Sequence, residues 1–162
     1  MRISILLLFQ LIIAKAVMAQ SDTILPKKIW IAGTEETVSK IKQNEASYKK
    51  AVKYRDSLGA RTAFTKDGEL IFTRAEIQEP TVKKRVEWYF DHGQIIFCEQ
   101  VWTLIGSEKI FNHERIYLKD GKMLQWLNTQ DQLVDPKSNA FRETEFYLLE
   151  YSKTLLKEAA EN

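Results

Sequence analysis

The sequence predicts an α+β domain: an antiparallel meander sheet of about six strands, folded as three hairpins, flanked by an N-terminal and a C-terminal helix. Two observations carry this expectation. A unit with an aromatic residue four places before a glycine and an aliphatic residue two places after it occurs three times in the middle of the chain. Charge-rich, amphipathic segments without such units lie on either side of it.

The first element is one expected to be removed. Arg2 supplies a positive start, Ile3 to Ile13 is apolar apart from Ser4 and Gln10, and Val17-Met18-Ala19 places small or modest side chains before Gln20. This three-part layout predicts a secretory signal peptide over residues 1–19, with cleavage after Ala16 or Gln20 as alternatives. Lys15 ends the apolar run well short of the roughly 20 residues of a membrane-spanning helix. The expected organisation is therefore a signal peptide, 1–19, and a single α+β domain, 20–162, that does not span a membrane once the signal is gone.

The expected location is exported and soluble, periplasmic or secreted. No cysteine follows the apolar run to carry a lipid, and Cys98 is the only cysteine, so no internal disulfide can form. Small secreted eukaryotic domains are often stapled by disulfides, which makes a bacterial origin the expected one. The chain has 24 basic and 22 acidic residues. Loss of Arg2 and Lys15 leaves 22 of each, a neutral product unlike a general nucleic-acid binder.

Residues 20–33 read as an extended lead-in, with Ile29-Trp30-Ile31 as a short β-prone strand. Gly33 and Thr34 offer a helix start, with Glu35 and Glu36 at the positive end of its dipole. Val38, Ile41, Tyr48, Val52 and Leu58 fall roughly on one face of a helix running to about Leu58, where Gly59 stops it. Seven basic residues and two acidic ones lie between Lys40 and Arg61.

The three hairpins follow. Asp67-Gly68, His92-Gly93 and Asp120-Gly121 are two-residue loops suited to a type I′ turn, which needs positive φ at both positions. A plain two-residue loop pairs Phe64 with Ile71, Tyr89 with Ile96 and Tyr117 with Leu124, giving one aromatic-aliphatic layer. Phe90 with Ile95 and Leu118 with Met123 fall on the other face. Asn128 to Gln132 reads as a polar loop. Asp135-Pro136 suits a helix cap and first turn, with Ser138 or Asn139 as alternative starts. From about Asn139 to Ala160 the chain reads helical, with Phe146, Leu149, Leu156 and Ala160 as one stripe, widened by Leu148, Tyr151 and Leu155. This helix is acidic and the first is basic, so they have the charges to lie side by side, although solvated polar faces are the favoured reading.

The units running from Phe64 to Leu70, Tyr89 to Ile95 and Tyr117 to Met123, together with Glu87 to Phe97 and Glu114 to Tyr117, resemble a family of small exported bacterial proteins of unknown function. The resemblance covers roughly residues 37–128. It implies an antiparallel sheet with helices and brings no established activity and no site residue.

Nucleophile elbows, P-loops, dinucleotide fingerprints, zinc-binding His-Glu-x-x-His and EF-hand patterns are all missing from the sequence. Cys98 with His92 or His113 is the one thiol–imidazole combination. The plain hairpin register sets Cys98 opposite Glu87, where a carboxylate opposes thiolate formation. Two histidines supply few ligands for a metal, and no cofactor is expected. Trp88, Trp102 and Trp126 all fall in the sheet. Arg115 is expected opposite Trp126, on the face of Tyr117 and Leu124, so Arg115, Tyr117 and Trp126 are the candidate exposed binding surface. The expected function is a non-enzymatic exported binding module for a protein, or for a small apolar or sugar ligand, and not for nucleic acid. The alternatives are an envelope hydrolase using carboxylates that the sequence does not locate, and a structural or assembly accessory protein.

Overall fold

The structure, a computed structural model, describes residues 26–56, 59–107 and 109–161, with only the backbone path at 53–56 and 59. The expected signal peptide and Leu58 lie outside the described residues. The chain divides into two compact units, Met1–Glu36 and Thr37–Asn162. Among the described residues no helix is long and apolar enough to cross a membrane.

Helix α1 covers residues 26–43. Ile29-Trp30-Ile31 is therefore helical rather than a strand. β-prone side chains make a strand only where a neighbouring strand accepts them. The helix also ends long before Leu58. Asn44 stops it: its backbone N–H and its side-chain Nδ2 both donate to the Lys40 carbonyl, at 3.1 and 2.8 Å, satisfying an oxygen orphaned by the helix end. A short 3-10 turn, Glu45–Ser47, leads into strand β1, Lys49–Asp56. Most of the basic segment read as helix is thus a strand.

The sheet has seven strands rather than six, in the order β1 to β7, each antiparallel to the next. The others are β2 (Gly59–Lys66), β3 (Glu69–Gln78), β4 (Val82–Asp91), β5 (Gln94–Leu104), β6 (Ile110–Lys119) and β7 (Lys122–Leu127). All three turns have the expected positive φ at both positions: 52° and 85° at Asp67-Gly68, 46° and 73° at His92-Gly93, and 51° and 70° at Asp120-Gly121.

The register departs from the plain hairpin by one residue, in the same way each time. Phe90 pairs with Ile95 and Leu118 with Met123, as expected. A β-bulge then leaves Ile71, Ile96 and Leu124 unpaired, so Phe64 faces Phe72, Tyr89 faces Phe97 and Tyr117 faces Gln125. The bulge adds a residue to the second strand of each hairpin and shifts every pair beyond it. Cys98 consequently lies opposite Trp88, not Glu87, and Trp126 opposite Ile116, not Arg115.

Helix α2 covers Asn139–Ala160, and of the expected starts it uses Ser138, whose Oγ accepts from the Phe141 N–H at 3.2 Å. Asp135 instead makes a preceding turn, accepting from the Lys137 N–H at 2.9 Å. The buried positions of α2 are Phe141, Leu148, Ser152 and Leu155, whereas Phe146 is exposed. The core stripe is therefore centred on Leu148 and Leu155, which the expectation included at its margin, with Leu149, Tyr151 and Leu156 partly buried beside it. It packs on a sheet face made by Trp88, Phe90, Ile95, Cys98, Ile116, Leu118 and Met123. We call this the helix face.

Candidate functional site

The register decides what each predicted residue does. Arg115 and Tyr117 share the face opposite α2, whereas Trp126, paired with Ile116, is on the helix face. Arg115 donates to Asp131 at 2.6 Å, Tyr117 is fully buried beside Phe97 with ring centroids 5.0 Å apart, and Trp126 Nε1 donates to Glu114 at 3.2 Å. The three residues are not brought together, and Tyr117 offers no exposed ring.

Tyr117 instead ends an aromatic row across five strands: Phe64, Phe72, Tyr89, Phe97 and Tyr117, with successive centroids 3.9, 5.4, 5.8 and 5.0 Å apart. Two residues further along each strand runs a charged row, Arg74–Glu87–Glu99–Arg115, each paired across strands with the next. Like charges directly opposite repel, so Glu87 and Glu99 need cations. Arg74 Nε donates to Glu87 at 2.6 Å, and Tyr89 Oη donates to its other oxygen at 2.7 Å. Lys42, near the end of α1, donates to Glu99 at 2.6 Å and lies 3.8 Å from Glu87. His113 Nε2 is 2.9 Å from Glu99. Glu45, in the 3-10 turn, grips Arg74 with both oxygens, at 3.0 and 2.7 Å.

This is the pair of facing carboxylates that a hydrolase reading asks for, but Glu99 is shifted the other way. Burial pushes the Glu99 carboxyl up, yet the hydrogen bonds and charges of Lys42 and His113 outweigh it, and the net direction is down. Glu45 is also held below the ordinary range, chiefly by its hydrogen bond to Arg74. A general acid needs the opposite shift. The row acts as a clamp on the segment from Lys42 to Glu45.

The helix face holds a different feature. Along the row next to Trp88 and Cys98 the side chains are Ala75, Val86 and Gln100. Ala75 and Val86 are the short side chains of this row. The helix is also pinned elsewhere. Glu145 accepts from the Met123 N–H at 2.6 Å, Phe141 is buried near the start, and Arg61 donates to Glu158 at 3.2 Å and to the Tyr151 hydroxyl. A cleft of about 360 Å³ remains, with Ala75, Ile77, Val86, Trp88, Cys98 and Gln100 from the sheet and Glu143, Thr144, Tyr147 and Leu148 from α2. A second depression, about 470 Å³, lies on the other flank of α2 between the turns at Gly93 and Gly121 and the exposed Phe146. The first has buried Ala75, Trp88, Cys98 and Leu148 in its wall; the second has buried Ile95 and Ser152 but is otherwise framed by the two exposed turns and the outer face of α2.

The surroundings of Cys98 oppose a thiolate. Burial above all, then the carboxylates of Glu99, Glu114 and Glu87, push its thiol far up. The expected direction holds, although its main cause is burial and not a cross-strand Glu87. The sequence signal for the cleft was the run of short side chains, Ala75 and Val86, at one level of the sheet, but it becomes readable only with the true register. No protein-family model, curated protein or solved structure matches this chain.

Proposed function

We propose that this protein is an exported, non-enzymatic module that holds a small apolar molecule between its sheet and its C-terminal helix. The cleft under α2 carries this reading. Its volume of about 360 Å³ is in the range of small-ligand sites. Scaling from the roughly 150 Å³ cavity that takes up one benzene gives a ligand of roughly 14 non-hydrogen atoms. The lining is apolar at its floor and polar at Gln100, Glu143 and Thr144, the pattern that orients a ligand without reacting with it. The paired carboxylates favour binding over hydrolysis, because they are engaged by cations in the charged row and are not among the residues lining this cleft. Export rests on residues 1–19, and a purified product that kept Met1 by mass spectrometry would contradict it.

The binding test uses N-phenyl-1-naphthylamine, a neutral dye that brightens in apolar surroundings. Ala75→Phe fills the cleft floor. The dye is expected to bind the native protein, and the variant is expected to remain folded, with a thermal midpoint lowered by the added bulk at a buried position, and to lose that binding. Equal dye binding by a folded Ala75→Phe protein would remove the cleft as the site.

A further inference from the structure

Trp88 and Cys98 stand opposite each other on β4 and β5, and both line the cleft. Trp88 is 3% exposed, and its Nε1–H is sealed from solvent with no hydrogen-bond acceptor. Trp126, on the same face, has its indole N–H satisfied by Glu114. Buried donors are nearly always paired, so an unpaired one on the wall of a cavity needs a reason. The neighbouring Cys98 sulfur is a weak acceptor at best. The surroundings also carry a sign. Glu143 is in the cleft wall, and Glu114 lies on the same sheet face, opposite the cleft-lining Gln100.

We infer that the ligand of this cleft is a neutral apolar molecule carrying a carbonyl- or ether-type acceptor, which receives the Trp88 Nε1–H, and that free carboxylates are rejected by charge. This rests on the cleft being a binding site. A cleft whose lining residue carries an unpaired donor discriminates against an isostere lacking the acceptor, because the donor then stays unsatisfied. The N–H is sealed from solvent, so the incoming carbonyl has to part the side chains over it. That opposes part of the gain and sets the expected preference at about tenfold.

Three probes of one shape and size test this by equilibrium dialysis with the full chain: 2-acetylnaphthalene, the hydrocarbon 2-isopropenylnaphthalene, and 2-naphthoate. The ketone is expected to bind about tenfold more tightly than the hydrocarbon, with the carboxylate weakest. Trp88→Phe keeps an aromatic ring and removes the donor; it is expected to bring the ketone down to the hydrocarbon and leave the hydrocarbon unchanged. Equal binding of ketone and hydrocarbon by the native protein would overturn the inference while leaving the cleft as an apolar site. So would a Trp88→Phe protein that loses both equally, or naphthoate binding as well as the ketone. If none of the three binds, the cleft reading itself falls and the inference falls with it. The native-protein comparison needs no variant to fold.

Discussion

Arg74→Met is the sharpest probe of the charged row. Methionine keeps a long apolar stem next to Phe64 and Phe72, whose ring centroids lie 5.4 and 5.5 Å from the guanidinium carbon. What is lost is the 2.6 Å bond to Glu87 and the two-pronged grip of Glu45. The two losses weigh differently. Glu45 keeps 25% of its side chain in solvent and can be rehydrated, so its share is about 1 kcal/mol or less. The Glu87 side chain is 2% exposed and cannot reach water. Removing one partner of a buried pair costs about 3–5 kcal/mol. Tyr89 still donates to Glu87 and Lys42 stands 3.8 Å away, which points to the lower end, about 3 kcal/mol. Total stability of about 5–15 kcal/mol makes that a large fraction. In the assay, urea unfolding at neutral pH, the midpoint should fall sharply with the slope unchanged. The double variant Arg74→Met/Glu87→Leu should recover most of the loss, because apolar replacement of a whole buried pair is close to neutral. A single-variant loss under about 1 kcal/mol, the value of an exposed pair, would refute the reasoning. A double variant no better than Arg74→Met would refute it too.

The same row predicts acid sensitivity. Glu45 and Glu99 have folded-state pKa values below the ordinary 4.5, so the unfolded chain binds more protons in that window. Their stabilisation is present above pH 4.5 and is lost as pH falls through the folded values; Glu99→Gln should flatten the decline in the urea midpoint, and an equal slope in both proteins would contradict this. At the second turn, His92 has φ 46° and Gly93 φ 73°. His92→Asn should gain a few tenths of a kcal/mol and Gly93→Ala should lose about 1 kcal/mol, by thermal unfolding. A Cβ at Gly93 meets nothing within 4 Å, so that loss is pure backbone strain, and a stability-neutral Gly93→Ala would show that the turn has another form. Cys98, fully buried with its thiol pushed up, should react with a disulfide reagent only as fast as the protein opens; immediate labelling in native buffer would show that the cleft floor is open.

The hairpins were legible because their signal is local: an Asp-Gly or His-Gly pair specifies a turn whatever surrounds it. The register was not, for an equally physical reason. Each bulge falls in a pair of adjacent aliphatics, Leu70-Ile71, Ile95-Ile96 and Met123-Leu124, and each time the second is left unpaired. Hydrophobic alternation is silent about which of two such neighbours the ladder skips. Strand β1 was hidden by chance helical spacing of Tyr48 and Val52 after Val38 and Ile41, and by its lysines, which suit an edge strand as well as a helix. Phe146 was misplaced because the Phe146–Leu149–Leu156 stripe is as apolar as the Phe141–Leu148–Leu155 stripe. Only the sheet beneath chooses between them. The unpaired Trp88 N–H depends on where every neighbour sits, and no sequence pattern announces it.

The bulges also separate the two faces chemically, and this makes the cleft intelligible. Paired residues of an antiparallel ladder share a face, so a one-residue slip exchanges the faces of a whole strand. Without Ile96 as the extra residue, β5 would set Glu99 beside Val86 and Cys98 beside Glu87. A carboxylate would then stand in the cleft and a thiol in the charged row. With it, Phe97 joins Tyr89 in the aromatic row, Glu99 joins Glu87 where Lys42 and His113 can reach it, and the cleft receives Cys98 and Gln100 instead. The bulge of β7 acts likewise on Trp126, turning its ring to the helix face and away from Arg115. The residue inserted after the second turn therefore does more than bend a strand. It sends the Glu99 carboxylate to the side of the sheet where a helix end clamps it, and leaves in the cleft the uncharged wall of Ala75, Ile77, Val86, Trp88, Cys98 and Gln100 that the proposed apolar ligand requires.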